Sequence, residues 1–439
     1  MACGSFNFGC LQGMRGHELK EKFFHYFFPL SIYLLWIAAV FDPIGHVFGL
    51  RYIALALIYV TLLLHISNRK LHINVGSIYF FLFLYFVLIL PAYGTLIYLV
   101  RGMGVGGDFI DTSYIAAGVL FGCSLVYLNS DSLQIGLAAQ RFALRMLACT
   151  IIFCVLIYEL GLPIFIIGFF VENGAAYFGP FRNYGGVNFY YMYFVASPML
   201  IYLVTQEVWR VFDERTTVQF FWCGVALVSL FMSGTRANII LATFVVPVVY
   251  AWRRWGLFSI PAVGLTAVVC LLLAYSLGVQ SIASMFDPQN ESIEVKLGFL
   301  LAYIEIFSDA GVLLIGQGFN AHSWSDAFAN MLPGGALGGA SKTELTYIEM
   351  IRVFGVVVGG AFFCLMAVLV KKLSEMDASL GWMAPALFLY LVGSTLNPYM
   401  FSSNGMLPLG LCAAALHGYL LKNVQLKMKP LLSCNIKDL

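Results

Sequence analysis

Three short stretches carry the residues that could do chemistry. The first is Ser233-Gly234-Thr235-Arg236, set between apolar runs in FMSGTRANII. Gly234 lets the backbone turn, and Ser233 and Thr235 offer hydroxyl donors. If Arg236 opens the helix that follows, its guanidinium stands beside free backbone amides and the site suits an anion. A guanidinium can hold phosphate through two parallel N–H bonds. The ordinary alternative is an arginine snorkelling to the interface. The second stretch, YFGPFRNYGGVNFYY, sets Arg182 among Tyr177, Tyr184, Tyr190 and Tyr191 in a loop fixed by Pro and Gly. Aromatic rings beside polar groups suit sugar stacking and equally suit an interfacial belt. The third, SKTELTYIEMIRVFGVVVGG, places Glu344, Tyr347 and Ile351 on one helix face, with Glu349 and Arg352 spaced to pair. In an apolar, desolvated site the Glu344 carboxyl would titrate high enough to act as a base. At a helix start it is also simply a carboxylate that the dipole favours.

Upstream of the third stretch lie Lys296 and then GQGFNAHSWSD, with Gly316 and Gly318 free to turn and His322 a candidate for binding an acceptor. No strand precedes the GQG, so it is not a dinucleotide motif. No outer carboxylate cluster or His pair is spaced for a metal, and no cofactor is expected.

The elements that must position these residues are membrane helices. The chain is 61% hydrophobic and 10% charged over 439 residues, and its mean hydropathy is +0.87. A soluble domain cannot cover itself with so little polar surface, whereas a bilayer solvates apolar side chains. No basic block points to nucleic acid, and the net charge of +2 decides nothing. Residues 1–22 are polar and lead directly into an apolar run without a small-residue cleavage site, so a first span is expected there rather than a leader. The ten cysteines are scattered, with no C-x-x-C, which argues against a disulfide framework or zinc.

Apolar runs predict about twelve spans, near 23–41, 51–66, 77–100, 114–128, 143–160, 187–206, 217–232, 237–251, 259–279, 347–370, 379–396 and 406–421. The expected fold is a single all-α polytopic membrane domain over residues 1–439. With both termini inside, 17 of the 24 Lys and Arg fall in inner segments. The outer side keeps Arg51, Arg101, Arg182, Arg236, Lys296, Lys342 and Arg352. The long loops, about 161–186 and 280–346, then lie outside, and chemistry is expected on that face. Within the second, the interrupted apolar stretch 297–315 reads as helices lying on or dipping into the outer leaflet.

This combination resembles the superfamily of O-antigen polymerases (Wzy-type) and O-antigen ligases (WaaL-type). The elements that carry it are about twelve spans, the outer SGTR turn, a long outer loop, G-x-G-F, and a helix opening with Tyr, Glu and Gly. The likeness covers roughly residues 140–420. It implies a GT-C-like fold in a bacterial inner membrane with the active site facing the periplasm. There an undecaprenyl-pyrophosphate-linked oligosaccharide is the donor, an acceptor hydroxyl attacks the anomeric carbon without metal, and the lipid pyrophosphate leaves. On this resemblance Arg236 and Arg182 hold the pyrophosphate, Arg352 or Lys296 assists, and Glu344 is the base. Tyr184, His322 and Tyr347 complete the substrate site. Lys296 stands where many members carry arginine, and lysine lacks the planar fork. Ligases resemble H-x-x-Y at the late helix, and Glu344-x-x-Tyr347 occupies that place here, which favours a polymerase. Membrane lipid and a chain-length regulator protein are the other expected partners. The rival classes are a ligase, a polysaccharide carrier or flippase, and a noncatalytic scaffold. Carriers usually show repeated halves and mid-membrane polar residues, and neither is evident in this sequence.

Overall fold

The computed structural model describes residues 27–47, 49–67, 75–101, 112–162, 164–184, 187–261, 264–265, 291–319, 345–397 and 400–434. They form a mostly helical bundle. In chain order the helices are α1 (Phe27–Phe41), α2 (Leu50–Ser67), α3 (Ile78–Arg101, with a π turn at Tyr85–Ile89), and α4 (Thr112–Gly122, tightening into a 3-10 turn to Leu128). Next come α5 (Ser130–Glu159), α6 (Phe165–Glu172), α7 (Leu200–Glu214), α8 (Thr217–Met232) and α9 (Arg236–Trp255). The last are α10 (Glu291–Ile306), α11 (Ala310–Ile315), α12 (Thr346–Ser374), α13 (Met383–Gly393) and α14 (Ser403–Cys434). Among the described residues four segments, in α3, α5, α12 and α14, are long and apolar enough to cross a bilayer, and α1, α2, α4, α8 and α13 are shorter apolar helices. Side chains such as Leu63 (67% exposed), Phe221 (61%) and Val357 (66%) cover the outside, a surface suited to lipid and not to water. The chain is a membrane-embedded helical protein. Helix α14 runs through the middle, its apolar window 78% buried against 33% in α3.

Two expectations are corrected. Residues 187–206 are not a span, and 161–186 is not a plain loop. After α6 the chain forms an antiparallel hairpin, β1 (Ala176–Tyr184) and β2 (Val187–Phe194), so the fold is not purely helical. The register runs from Ala176 opposite Phe194 to Tyr184 opposite Val187, with an irregularity between Gly179 and Arg182. Pro180 falls in it, where a residue without an N–H is tolerated. Met192 and Phe194 are fully buried, Phe194 against Phe41 and Phe170. On the same face Phe178 and Tyr190 both meet Tyr158, with ring centroids at 4.6 Å. β2 is almost wholly apolar or aromatic, so period-two alternation is invisible in hydropathy and it passes for helix, while Gly179, Pro180, Arg182 and Asn183 make β1 read as a loop. Gly185-Gly186 between two aromatic runs was the available hairpin signal.

The expected span 347–370 is also not one rod. Gly355 sits inside α12 at φ 68°, ψ 172°. The ring of Tyr347 lies 5.8 Å from Phe362 and 5.3 Å from Phe363. An unbroken helix would separate positions 347 and 362 by about 22 Å. A Cβ on Gly359 would come 3.0 Å from the Met350 carbonyl. Residues 346–354 therefore fold back on the start of the long arm, and residues 356–374 still reach about 28 Å. The bend needs glycine, because a Cβ at Gly355 would lie 2.2 Å from the Leu314 carbonyl oxygen. Gly355→Ala is expected to cost about 3 kcal/mol. Gly224→Ala, at a helical glycine whose Cβ meets nothing within 4 Å, is the control. Equal thermal midpoints for the two variants in detergent would refute the fold-back.

The expected break between spans seven and eight is present, as α8 ends at Met232 and α9 begins at Arg236. Of the expected span 259–279, all but residues 259–261 and 264–265 lies outside the described residues.

The bundle has two chemically distinct ends. One gathers cations and their carboxylates. There Arg145 meets Glu207 at 2.6 Å, Arg253 meets Asp213 at 2.7 Å, and Lys372 meets Glu375 at 2.8 Å. The other end holds Arg101, Asp309, the 316–319 turn, the hairpin and the start of α9, and it carries the candidate site.

Candidate active site

The turn before α9 is built by its own residues. Gly234 takes φ +73°, and Thr235, in extended backbone, caps the helix by accepting from the Asn238 amide at 3.3 Å. Ser233 donates its hydroxyl to the Leu230 carbonyl at 2.7 Å and accepts from the Asn238 side-chain amide at 2.8 Å. The two hydroxyls expected as ligand donors thus serve the turn itself, Thr235 as a cap acceptor. Arg236 is the first residue of a 20-residue helix and is half-buried. The hairpin sits on this turn. A Cβ at Gly234 would lie 2.4 Å from the Tyr191 ring, and one at Gly179 would lie 2.1 Å from the same ring. Both glycines are bare so that one tyrosine can lie between them. Arg182, opposite Phe189, and Tyr184, opposite Val187, ride on the same hairpin. The structure therefore brings the first two sequence stretches to one place through Tyr191, which sequence reading had taken only as one of four loop tyrosines.

The third stretch forms a buried polar network. Arg352 is 0% exposed. Its Nε donates to Glu349 Oε2 at 2.9 Å, its Nη1 donates to Gln317 Oε1 at 3.0 Å, and its Nη2 pairs with Glu349 Oε1. Tyr303 donates its hydroxyl to Glu349 Oε2 at 2.6 Å. The break at Gly355 leaves the carbonyls of the short helix without i+4 amides. Gln317 N reaches the Arg352 carbonyl at 2.7 Å and Gly318 N reaches that of Val353 at 3.0 Å. This is the work of the G-x-G-F motif. Gly316 (φ +84°) and Gly318 (φ +81°) would have Cβ atoms 2.3 Å from Val353 O and 2.4 Å from Tyr98 N, and the Phe319 ring covers Gly94. The motif is a clasp on the α12 bend, holding it against α3.

Two of the remaining sequence candidates, Lys296 and Tyr347, lie on elements that join this network. Lys296 is half-buried on α10, seven residues before Tyr303. It belongs to the helix whose Phe299, Ala302 and Tyr303 pack on Leu345 and Ile348. The Tyr347 hydroxyl donates to the Leu391 carbonyl at 2.5 Å, and Thr346 donates to that of Asn397 at 2.7 Å. Tyr347, expected to meet substrate, is thus engaged with backbone. Arg352, expected to face a pyrophosphate, is enclosed by protein. Glu344 and His322 lie outside the described residues. Both clusters flank the end of α13, with Leu241 of α9 against Gly393 on one side and Thr346 and Tyr347 on the other.

Sequence reading missed Tyr303, Gln317, Gly355 and the Arg101–Asp309 pair. Arg101 bonds Asp309 at 3.0 Å and the Gly316 carbonyl at 3.0 Å. The Gly311 amide first, then that of Val312 and the Arg101 charge, hold the Asp309 carboxyl below its usual range. The available signals were a glycine inside an apolar helix and an Asp two residues before Gly311, a helix cap. Compared with protein-family models, curated proteins and solved structures, the chain matches none.

Proposed function

We propose that the chain is a membrane glycosyltransferase of the O-antigen polymerase type, joining undecaprenyl-pyrophosphate-linked repeat units at the periplasmic face of a bacterial inner membrane. The reading keeps about twelve spans and places the Arg236 end outside, because the opposite end holds Arg141, Arg145, Arg210, Arg253, Lys371, Lys372 and Lys422. The observation that carries it is Arg236, half-buried at the start of a Thr235-capped helix beneath the hairpin that bears Arg182. A cation beside helix-opening amides in a low-dielectric setting matches a departing diphosphate.

The acceptor sugar hydroxyl attacks the anomeric carbon. The bond from that carbon to the pyrophosphate oxygen breaks with its electron pair, and the hydroxyl proton passes to Glu344. Charge grows on the leaving diphosphate, which Arg236 and Arg182 stabilise, with Lys296 of α10 assisting. Direct displacement inverts the anomeric centre. Arg352 moves from the ligand set to a positioning role, since it and Glu349 hold the folded-back helix that follows Glu344.

Broken helices also mark carriers, whose unwound carbonyls coordinate ions. Here the freed carbonyls of Arg352 and Val353 are filled by the Gln317 and Gly318 amides, which favours a fixed scaffold over an ion site. Purified full-length protein supplied with undecaprenyl-pyrophosphate-linked repeat units is expected to yield a ladder of longer glycans. Unchanged glycan length, with substrate moved across sealed vesicles, would replace this proposal with a carrier.

A further inference from the structure

The opposite, cation-rich end contains a second feature that the glycosyl-transfer reading does not use. A cavity of about 820 Å³ opens between α5, α7, α14 and the turn before α13. Its size lies within the roughly 300–1,000 Å³ of ligand sites. One part of the wall is apolar, including Leu133, Leu137 and Leu380, and the other carries Arg141, Lys422 and Asp377.

The charges are unbalanced. Arg141 is half-buried. The charged groups that act on it are Arg210, Arg145, Glu207 and Glu214. Both carboxylates are already engaged, Glu207 with Arg145 at 2.6 Å and Glu214 with Arg210 at 3.1 Å. Arg145 and Arg141 are four residues apart on one helix face, an unfavourable like-charge spacing. Among the described residues neither Arg141 nor Lys422 has an ion pair or hydrogen bond. Among the described residues the Asp377 carboxylate accepts only a long bond, from Tyr419 at 3.4 Å. The wall thus presents two cations against one carboxylate, beside apolar side chains. Phe142 and Leu420, next in sequence to lining residues, are 46% and 37% exposed on the apolar outside of the bundle.

We infer that this cavity binds the phosphate headgroup of an anionic phospholipid, with Arg141 and Lys422 on the phosphate and the leucine wall against the glycerol and upper acyl chains. The chemistry is that of basic pockets between membrane helices at the cytoplasmic leaflet. The cavity is remote from Arg236, so the inference stands or falls apart from the polymerase proposal.

The test is thermal unfolding of the full-length protein in a neutral detergent, titrated with phosphatidylglycerol, phosphatidylethanolamine or inorganic phosphate. Phosphatidylglycerol is expected to raise the melting temperature in a saturable way, while phosphatidylethanolamine and inorganic phosphate leave it nearly unchanged. In Arg141→Gln/Lys422→Gln the apparent affinity for phosphatidylglycerol falls about thirtyfold, on the order of 1 kcal/mol per lost cation. Without lipid this variant melts no lower than the parent, because a repelled charge has been removed. Asp377→Asn is expected to bind phosphatidylglycerol more tightly, and it supplies the readout if the double variant does not fold. Equal responses to the two lipids, an unchanged affinity in the double variant, or no tightening in Asp377→Asn would overturn the inference. A full effect from inorganic phosphate alone would assign the cavity to a soluble phosphate and overturn the lipid.

Discussion

Arg236→Ala is expected to abolish polymer growth while the protein still inserts and melts near the parent temperature. The residue lies at a helix start whose turn is built by its neighbours: Thr235 caps, Ser233 and Asn238 brace the turn, and Gly234 admits Tyr191. Removing a half-buried side chain there leaves those contacts standing. The diphosphate, however, loses a two-pronged donor in a setting of low dielectric. Loss of one preplaced donor of this kind costs about 10²–10³ in rate. Arg236→Lys keeps the charge without the planar fork and is expected to fall between. The readout is glycan length in cells lacking the native copy, beside protein level in the membrane fraction. Near-normal polymer in the alanine variant would remove Arg236 from the reaction.

The second large effect is on stability. Arg352→Met leaves Glu349 as an unpaired carboxylate, 5% exposed, in a membrane protein interior. Breaking a buried ion pair from one side costs about 3–5 kcal/mol, so little folded protein is expected. The double variant Glu349→Gln/Arg352→Met removes both charges and keeps an acceptor for the Tyr303 hydroxyl. It is expected to recover most of that loss, since matched removal of a buried pair is often close to neutral. Activity in the double variant then decides between two roles. Recovery to within about tenfold of the parent rate would mean that Arg352 positions the folded-back helix. A double variant that melts normally yet loses about 10² or more in rate would return Arg352 to the diphosphate.

The turn that opens α9 was legible in the sequence because its signals are local. A Thr cap, a glycine that turns the chain and an apolar run on either side decide the α8–α9 break over a few residues, and Arg236 falls where that pattern puts it. Membrane residence is likewise a sum over composition, and the clustering of Lys and Arg follows from many independent positions.

Other features depended on partners far apart in the chain. The Glu349–Arg352 pair is local and follows from its spacing, but nothing near Arg352 announces Tyr303 or Gln317, 49 and 35 positions away by number, and the pair is buried only once three segments meet. Gly355 looks like any glycine in an apolar helix until the amides of Gln317 and Gly318 take the carbonyls that its bend releases. The second strand of the hairpin was hidden because hydropathy reports burial, and a strand with Tyr191 and Met192 buried on opposite faces has the same hydropathy as a short helix. Apolar runs and caps could therefore be read along the chain. Which backbone groups and charges satisfy one another was decided only by packing, because a bilayer interior offers no water to complete them.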